Sequence, residues 1–382
     1  CYDCHADGVD KGGIDFDRLK KSDLKSWQKV WDVIEKEQMP PPTKKRPSIQ
    51  QKKELLNSIT KNIFKIDPYQ KIPQKILLYR LSNAQFSNSL QVVFGYYDYK
   101  VTQQLPAEAT TLGFDNIGSA MNISSIHLES YQKLAFQVSQ AMLNKNTKKN
   151  YSKTVGEKWL NTLADNKPET LRKFLQELTL KTFRRPSTDR EIQLYIQLFE
   201  QIKQKTGSHR KALMAIIEAM IVSPSHLFRT ELFRTKTAKG KFLKLDEYAL
   251  ASRLAFFLWN SPPDYRLLKL AANKKIHQDL SQTVQYMIAH KRFKNFAFSF
   301  GEQWLHIKFL LNNPNKVPFN AMKIETLTWL QYLFQKNRPL TELFTSKVTF
   351  INPVLANRYK LPAFKKDKFQ KYTFPESSHR VG

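Results

Sequence analysis

A mainly α-helical chain of several small domains is what the 382 residues predict, and three observations carry it. Apolar residues return at three- and four-residue intervals through most of the chain. Capping signatures, a Ser or Thr followed three residues later by Gln or Glu, open several of those stretches. Gly and Pro, the strongest turn-formers, stand mostly at their ends. Hydrophobic residues at 41% and aromatics at 12% exclude disorder as the main state. No uncharged apolar run reaches the roughly eighteen residues of a membrane span. The best, 212–228, is interrupted by Glu218 and Pro224 and reads as a buried helix.

The first element is Cys1-Tyr2-Asp3-Cys4-His5, a C-x-x-C-H run. Two thiols at this spacing can form thioethers to the vinyl groups of one porphyrin while the next imidazole ligates the iron. These are the only two cysteines, so one covalent haem c accounts for both and leaves no thiol for a disulfide framework or a Cys-rich zinc site. The alternative is a lone disulfide or an unused C-x-x-C. Iron held by His5 needs a sixth ligand if it is to pass electrons without binding substrate. Met39 is the candidate, because it is the only Met before Met121 and stands in Glu37-Gln38-Met39-Pro40-Pro41-Pro42, where prolines hold the chain extended. Its alternative role is packing beside a polyproline turn. No second His occurs before His127.

Gly12-Gly13 makes a turn after the motif, and Trp27, Val30, Trp31, Val33 and Ile34 supply an apolar helical face leading to Met39. Ser48 to Gln51 is a capping box opening a helix with Leu55, Leu56, Ile59 and Ile63. Together these make residues 1–66 a small class I-like cytochrome c domain, followed by helical domains at 67–145, 146–236 and 237–310 and the start of a further one at 311–382.

In the second segment, Ser82 and Gln85 cap a helix containing Leu90, Val93 and Phe94, and Gly113 to Gly118 bound a turn. A further helix passes through Leu128, Tyr131, Leu134 and Val138. The Lys- and Asn-rich stretch 144–153 reads as an exposed connector. Thr188 and Glu191 then form a capping box for a helix with Ile192, Tyr195, Ile196 and Phe199, and Ser223-Pro224-Ser225 stops the one after it. Asp246 caps a helix over 248–260 whose face carries Leu250, Leu254, Phe257 and Leu258, and Pro262-Pro263 ends it. Phe296, Phe300 and Trp304 mark another buried face. Leu327, Leu330 and Leu333 repeat the theme before Phe350-Ile351-Asn352-Pro353.

This order of segments resembles the large planctomycete-type cytochrome c proteins, in which an N-terminal haem domain precedes several small helical domains of unknown function. The first domain is similar in C-x-x-C-H, Gly12-Gly13 and Met39-Pro40-Pro41. Arg80-Leu81-Ser82-Asn83 with Gly113-Phe114-Asp115-Asn116 resembles the second; Phe183-Arg184-Arg185-Pro186 with Ile221-Val222-Ser223-Pro224 resembles the third. The run from Leu245 to Leu254, with Phe257-Leu258-Trp259 and Gln303-Trp304-Leu305, resembles the fourth. The resemblance implies that the chain continues beyond Gly382. A first residue of Cys rather than Met likewise points to a segment of a longer protein whose signal peptide would lie upstream.

Covalent haem attachment takes place outside the bacterial cytoplasm, so the expected location is periplasmic or otherwise exported. The expected role is electron transfer, with the helical region docking a redox partner or a substrate, either as an electron-transfer protein or as a subunit of an oxidoreductase. The alternative is an envelope scaffold that binds anionic polysaccharide. Lys plus Arg at 62 against 33 Asp plus Glu give +29, which suits an acidic redox protein, a sulfated polysaccharide or anionic lipid and equally suits a solvated Lys-rich surface. Nucleic acid is the partner least expected of an exported cytochrome. Asp115, Asp246, Glu247 and Glu302 read as turn and cap residues, and His127, His209, His226, His277, His290 and His306 show no H-E-x-x-H or similar ligand spacing. Arg184 and Arg185 before a helix start suit anion binding or simple salt pairing.

Overall fold

The computed structural model describes residues 2–65, 79–118, 121–146, 151–229, 245–307, 317–362 and 368–379. The chain is mainly helical and divides into two compact units, 1–74 and 75–382.

The first unit holds α1 (Tyr2–His5), α2 (Leu24–Glu35) and α3 (Ile49–Asn62). Asp23 accepts from Ser26 N at 3.2 Å to start α2, and the capping box of Ser48 and Gln51 starts α3 as the sequence indicates. Their apolar faces meet: Val30, Ile34 and Ile59 are buried with Ile14, and the indole N–H of Trp31 donates to Thr60 Oγ1 at 3.3 Å. Lys52 Nζ on α3 donates to Glu35 O at 2.9 Å, satisfying a carbonyl that the end of α2 leaves unpaired.

In the second unit β1 (Tyr79–Arg80) leads into α4 (Asn83–Phe94), and the segment after it carries α5 (Ser125–Leu143), α6 (Tyr151–Thr162), α7 (Pro168–Phe183), α8 (Asp189–Thr206), α9 (His209–Ile221) and α10 (Pro224–Leu227). The long apolar helix ends at Ile221, stopped where Ser223-Pro224-Ser225 indicates, and Ser223 and Pro224 restart the chain as α10. Then β2 (Phe228–Arg229) pairs antiparallel with β1, Tyr79 opposite Arg229 and Arg80 opposite Phe228, closing a loop of about 150 residues. One hydrophobic core runs through this whole stretch, with Phe86, Leu90, Leu134, Leu175, Leu213 and Ile217 among its fully buried members. The expected segments 67–145 and 146–236 therefore share a single core.

The remainder contains α11 (Glu247–Leu258), α12 (Tyr265–Ala272), α13 (Leu280–Ala289), α14 (Phe293–Trp304), α15 (Val317–Gln335), α16 (Glu342–Thr345), β3 (Val348–Ile351), α17 (Pro353–Arg358) and β4 (Gln370–Thr373). Asp246 caps α11 through Ala249 N at 2.7 Å. Phe257, expected on its buried face, is 63% exposed, because the core side is taken by Ala255, Leu258 and Trp259. Trp304, likewise expected to be buried, is 41% exposed and stacks on Phe300 at 5.5 Å. Gly301 lies so close to α15 that a Cβ would stand 2.6 Å from a Leu327 methyl, which explains why Leu327 and Leu330 are buried against it. Val348 to Ile351, to which the sequence assigns no element, is a strand: alternate burial of Thr349 and Ile351 follows the period of two of a half-buried strand paired with β4.

Two buried arginines fix this architecture. Arg80 donates to both oxygens of Glu108 at 3.1 and 2.6 Å, to Tyr131 Oη at 3.0 Å and to Leu81 O at 2.9 Å. Burial works against its charge, but the hydrogen bonds and charge interactions of Glu108 and Tyr131 together outweigh this and hold the guanidinium above its usual pKa. Arg184 ends α7 at φ +61° and donates to the carbonyls of Thr182, Ser225, His226 and Phe228 at 2.8–3.2 Å. Neither arginine of the 184–185 pair is set up for an external anion, since Arg185 forms a two-pronged pair with Glu191 at 3.0 and 2.7 Å. That hydrogen bonding drives the Glu191 carboxyl down to about 2.

His226 packs between Phe86 and Phe94, donates from Nδ1 to Ile221 O at 2.9 Å and leaves Nε2 buried without a partner. Complete burial lowers its pKa from 6.5 to about 4.

Two outcomes are expected. Arg80→Ala leaves Glu108 as an unpaired buried carboxylate, so the full chain should lose about 3–5 kcal/mol in a urea titration, and Arg80→Met with Glu108→Leu should recover much of it. For His226 the unfolded imidazole takes up a proton below about pH 6.5 while the folded one does not until about pH 4. Stability is therefore complete above the unfolded value and falls as the pH drops from 6.5 to 4, by about 3 kcal/mol. His226→Phe should flatten that part of the denaturation midpoint against pH.

Candidate functional site

The N-terminal motif is placed by short-range geometry. The helical turn Tyr2–His5 carries Cys4 and His5, both half-buried; Cys1 lies outside the described residues, and Cys4 has no disulfide partner among those described. After it the chain reverses through Gly12 and Gly13, whose φ values of +70° and +75° are ones a side chain would resist. The reversal brings Ile14 O to 3.1 Å from His5 Nδ1 and Phe16 N to 2.6 Å from His5 O. A carbonyl can only accept, so the contact requires the proton on Nδ1 and leaves the lone pair on Nε2. Phe16 holds the imidazole edge-on at 5.7 Å and leans on Trp27 of α2 at 6.3 Å. Lys29 Nζ, also on α2, donates to Gly12 O at 3.0 Å and steadies the reversal.

Met39 is positioned separately, just beyond the end of α2. Gln38 N and Met39 N both donate to Val33 O, at 2.8 and 3.0 Å, and Arg46 Nη2 donates to Glu37 O at 3.1 Å. The backbone is thus fixed while the residue is 40% exposed. The structure brings His5, Ile14 and Phe16 together beside Cys4 and leaves Met39 partly exposed.

The other groups weighed from sequence have structural partners. Asp115 N donates to Gln303 Oε1 at 2.8 Å, Glu247 accepts from Ile276 N at 2.8 Å, and Glu302 pairs with Lys323 at 2.6 Å. His127 caps α5 with Ser124, His209 meets Asn166 Oδ1 at 3.0 Å, and His277 meets Leu245 O at 2.8 Å. His290 stacks on Trp259 at 4.7 Å, and His306 lies under Gly113. Among the described residues no three His, Cys, Asp or Glu side chains converge as a metal site would require. Sequence reading missed the Ile14 carbonyl; its only signal was the pair of glycines before it.

Three family models match the chain, all in the second unit. Residues 79–144 match PSD3, a protein of unknown function (DUF1587); 170–231 match PSD5 (DUF1595); 245–361 match PSD4 (DUF1592). These are the planctomycete-type repeated domains of unknown function. No curated protein and no solved structure matches the chain. The matched segments contain the arginine clasps: DUF1587 carries Arg80 and Glu108, while DUF1595 carries Arg184 with the carbonyls it binds at Ser225 and Phe228.

Proposed function

We propose that the chain is an exported c-type cytochrome that transfers electrons to or from a redox partner through one covalent haem c. Cys1 and Cys4 would hold the porphyrin through thioethers, and His5 and Met39 would ligate its iron. The observation that carries this reading is the His5 Nδ1 to Ile14 O contact: a ligating imidazole gives one nitrogen to the metal and donates from the other to a fixed acceptor, which sets its orientation and raises its basicity. The donor set suits the group, a thiol and a half-buried imidazole on one helical turn and a thioether elsewhere in the unit. When bound, haem supplies one-electron exchange between ferric and ferrous iron.

Each residue of this chain then has a defined task. Gly12 and Gly13 let the chain reverse so that Ile14 can hold the tautomer. Phe16, backed by Trp27, limits the rotation of the ring. Exposure of Met39 on a pinned backbone favours a ligand over a packing residue, because a packing methionine would lie within the core it fills. Electron transfer with saturated iron needs no further chemistry from the helical domains, which would serve to dock the partner or a substrate-oxidising subunit. Covalent attachment implies export.

The test is made on the full chain expressed with a c-type maturation system. Haem should remain on the polypeptide through acid acetone and a denaturing gel; haem that washes out, or a mature protein with Cys1 joined to Cys4 as a disulfide, overturns the reading. In the ferric protein the weak far-red sulfur-to-iron band should be present. Met39→Ala should abolish it, admit exogenous ligands and lower the midpoint potential by on the order of 0.1 V. A spectrum unchanged by the substitution assigns the sixth ligand elsewhere.

A further inference from the structure

A half-open cleft of about 690 Å³ lies in the second unit, walled by the end of α4, by α6 and α7, and by Pro263 to Tyr265 with Arg292. Its volume falls in the range of small-ligand sites, and it draws on segments matched to different domains, a common location for such sites. Four cations line it, Lys158, Lys173, Lys181 and Arg292, against two carboxylates, Glu177 and Asp264. Asp264 is already engaged, accepting from Leu267 N at 2.9 Å and Tyr286 Oη at 2.6 Å. Among the described residues no carboxylate comes within ion-pair distance of any of the four cations.

Arg292 is the most telling of them. Its guanidinium lies over the Trp259 ring at 5.2 Å and donates to Pro262 O at 3.1 Å. Burial lowers its pKa, opposed by the charges of Asp264, Tyr286 and Tyr97. It is a partly dehydrated cation with donors to spare, which pairs with an anion more strongly than a fully hydrated one. Beside the cations stand flat apolar surfaces. The half-buried Trp159 is braced edge-on by Phe94 at 6.3 Å and Phe174 at 5.7 Å, and Tyr265 is 72% exposed at the mouth. Thr162 and Thr170 lie between, each donating its hydroxyl within the protein, at 3.0 and 2.7 Å, and keeping lone pairs for an incoming O–H.

We propose that this cleft binds an acidic saccharide, sugar rings carrying carboxylate or sulfate groups. The rings set their C–H faces against Trp159 and Tyr265, the acidic groups meet Arg292 and the lysines, and sugar hydroxyls donate to Glu177 and to the threonines. The exposed carboxylate of Glu177 is what separates this ligand from nucleic acid: a phosphodiester backbone would place repeated charge against it, whereas a saccharide has hydroxyls to give. The site is independent of the haem reading and stands or falls separately.

The experiment is titration calorimetry on the full chain at about 0.15 M salt, where the Debye length of about 8 Å screens distant charges. The probes are an oligogalacturonate, a sulfated oligosaccharide of equal length, uncharged cellotetraose and a single-stranded oligonucleotide of matched charge. Either acidic saccharide should bind at least about tenfold more tightly than cellotetraose and the oligonucleotide, and which one binds identifies the acidic group. Lys173→Ala with Lys181→Ala, and separately Tyr265→Ala, all exposed and harmless to folding, should each weaken it about tenfold. Lys205→Ala with Lys336→Ala, equal in charge and outside the cleft, should leave it unchanged. No binding at millimolar ligand, equal binding of cellotetraose, preference for the oligonucleotide, or equal loss in the charge-matched control overturns the proposal.

Discussion

A guanidinium removed from water must meet its N–H groups with acceptors, and that requirement determines where distant segments of the second unit end. Arg184 ends α7 and gathers four carbonyls, three of them from 225–228. The chain after α9 is thereby held in the position from which Phe228 and Arg229 pair with Arg80 and Tyr79. That pairing sets Arg80 at the start of α4, where it clasps Glu108, and the same carboxylate accepts from Asn83 N at 2.7 Å. The two arginines are thus linked through a four-residue sheet. Once the ends are tied, α4, α6 and α7 are fixed around the shared core, and their outer surfaces become walls of the basic cleft. Breaking either cluster would leave buried charge or buried carbonyls unpaired, a cost far above the loss of a surface ion pair.

The helices were legible wherever a local rule decides the structure. Ser48 with Gln51, Ser82 with Gln85 and Thr188 with Glu191 form the capping boxes their spacing indicates, and Asp246 caps α11. A cap is legible because donor and acceptor lie three residues apart and need no tertiary partner. Failures occurred where tertiary packing chooses among apolar residues. Phe257 fits the spacing of the α11 face, yet its neighbour Leu258 and the small Ala255 take the buried side, and Phe257 meets Phe296 edge-on at the surface. Val348 to Ile351 is too short a run to be assigned from its own residues. Only pairing with Gln370 to Thr373, some twenty residues on, makes it a strand.

The same division between local and distant explains what could be read of function. A C-x-x-C-H motif is complete within five residues, so the expectation of haem rests on local sequence alone. The Ile14 carbonyl that fixes the His5 tautomer is nine residues away across a glycine reversal, and a backbone carbonyl carries no sequence signature. Arg184 and Arg185 were visible as a basic pair, but their separate fates depended on residues some forty positions downstream for one and on Glu191 for the other. Nothing in the sequence could gather Lys158, Lys173, Lys181 and Arg292, because they come from three helical segments brought together only by the arginine-tied core.

The formal charge of +29 therefore means less as a total than in its placement. At physiological salt a surface lysine acts over roughly 8 Å, so most of the excess is felt only by what already touches it. A solvated Lys-rich surface offers any polyanion weak contacts of similar worth everywhere, and it discriminates little. A cleft differs in three respects: its cations converge, one of them is partly stripped of water, and aromatic rings beside them reward a ligand with apolar faces as well as charge. Selectivity follows from requiring all three at once, since a ligand that meets only the charges can find equivalents elsewhere on the surface. The carboxylate of Glu177 sharpens this further by penalising ligands whose charge is continuous. With Asp264 engaged by Leu267 N and Tyr286 Oη, Glu177 is the cleft carboxylate that would favour an anion that also carries hydroxyls, under the saccharide reading.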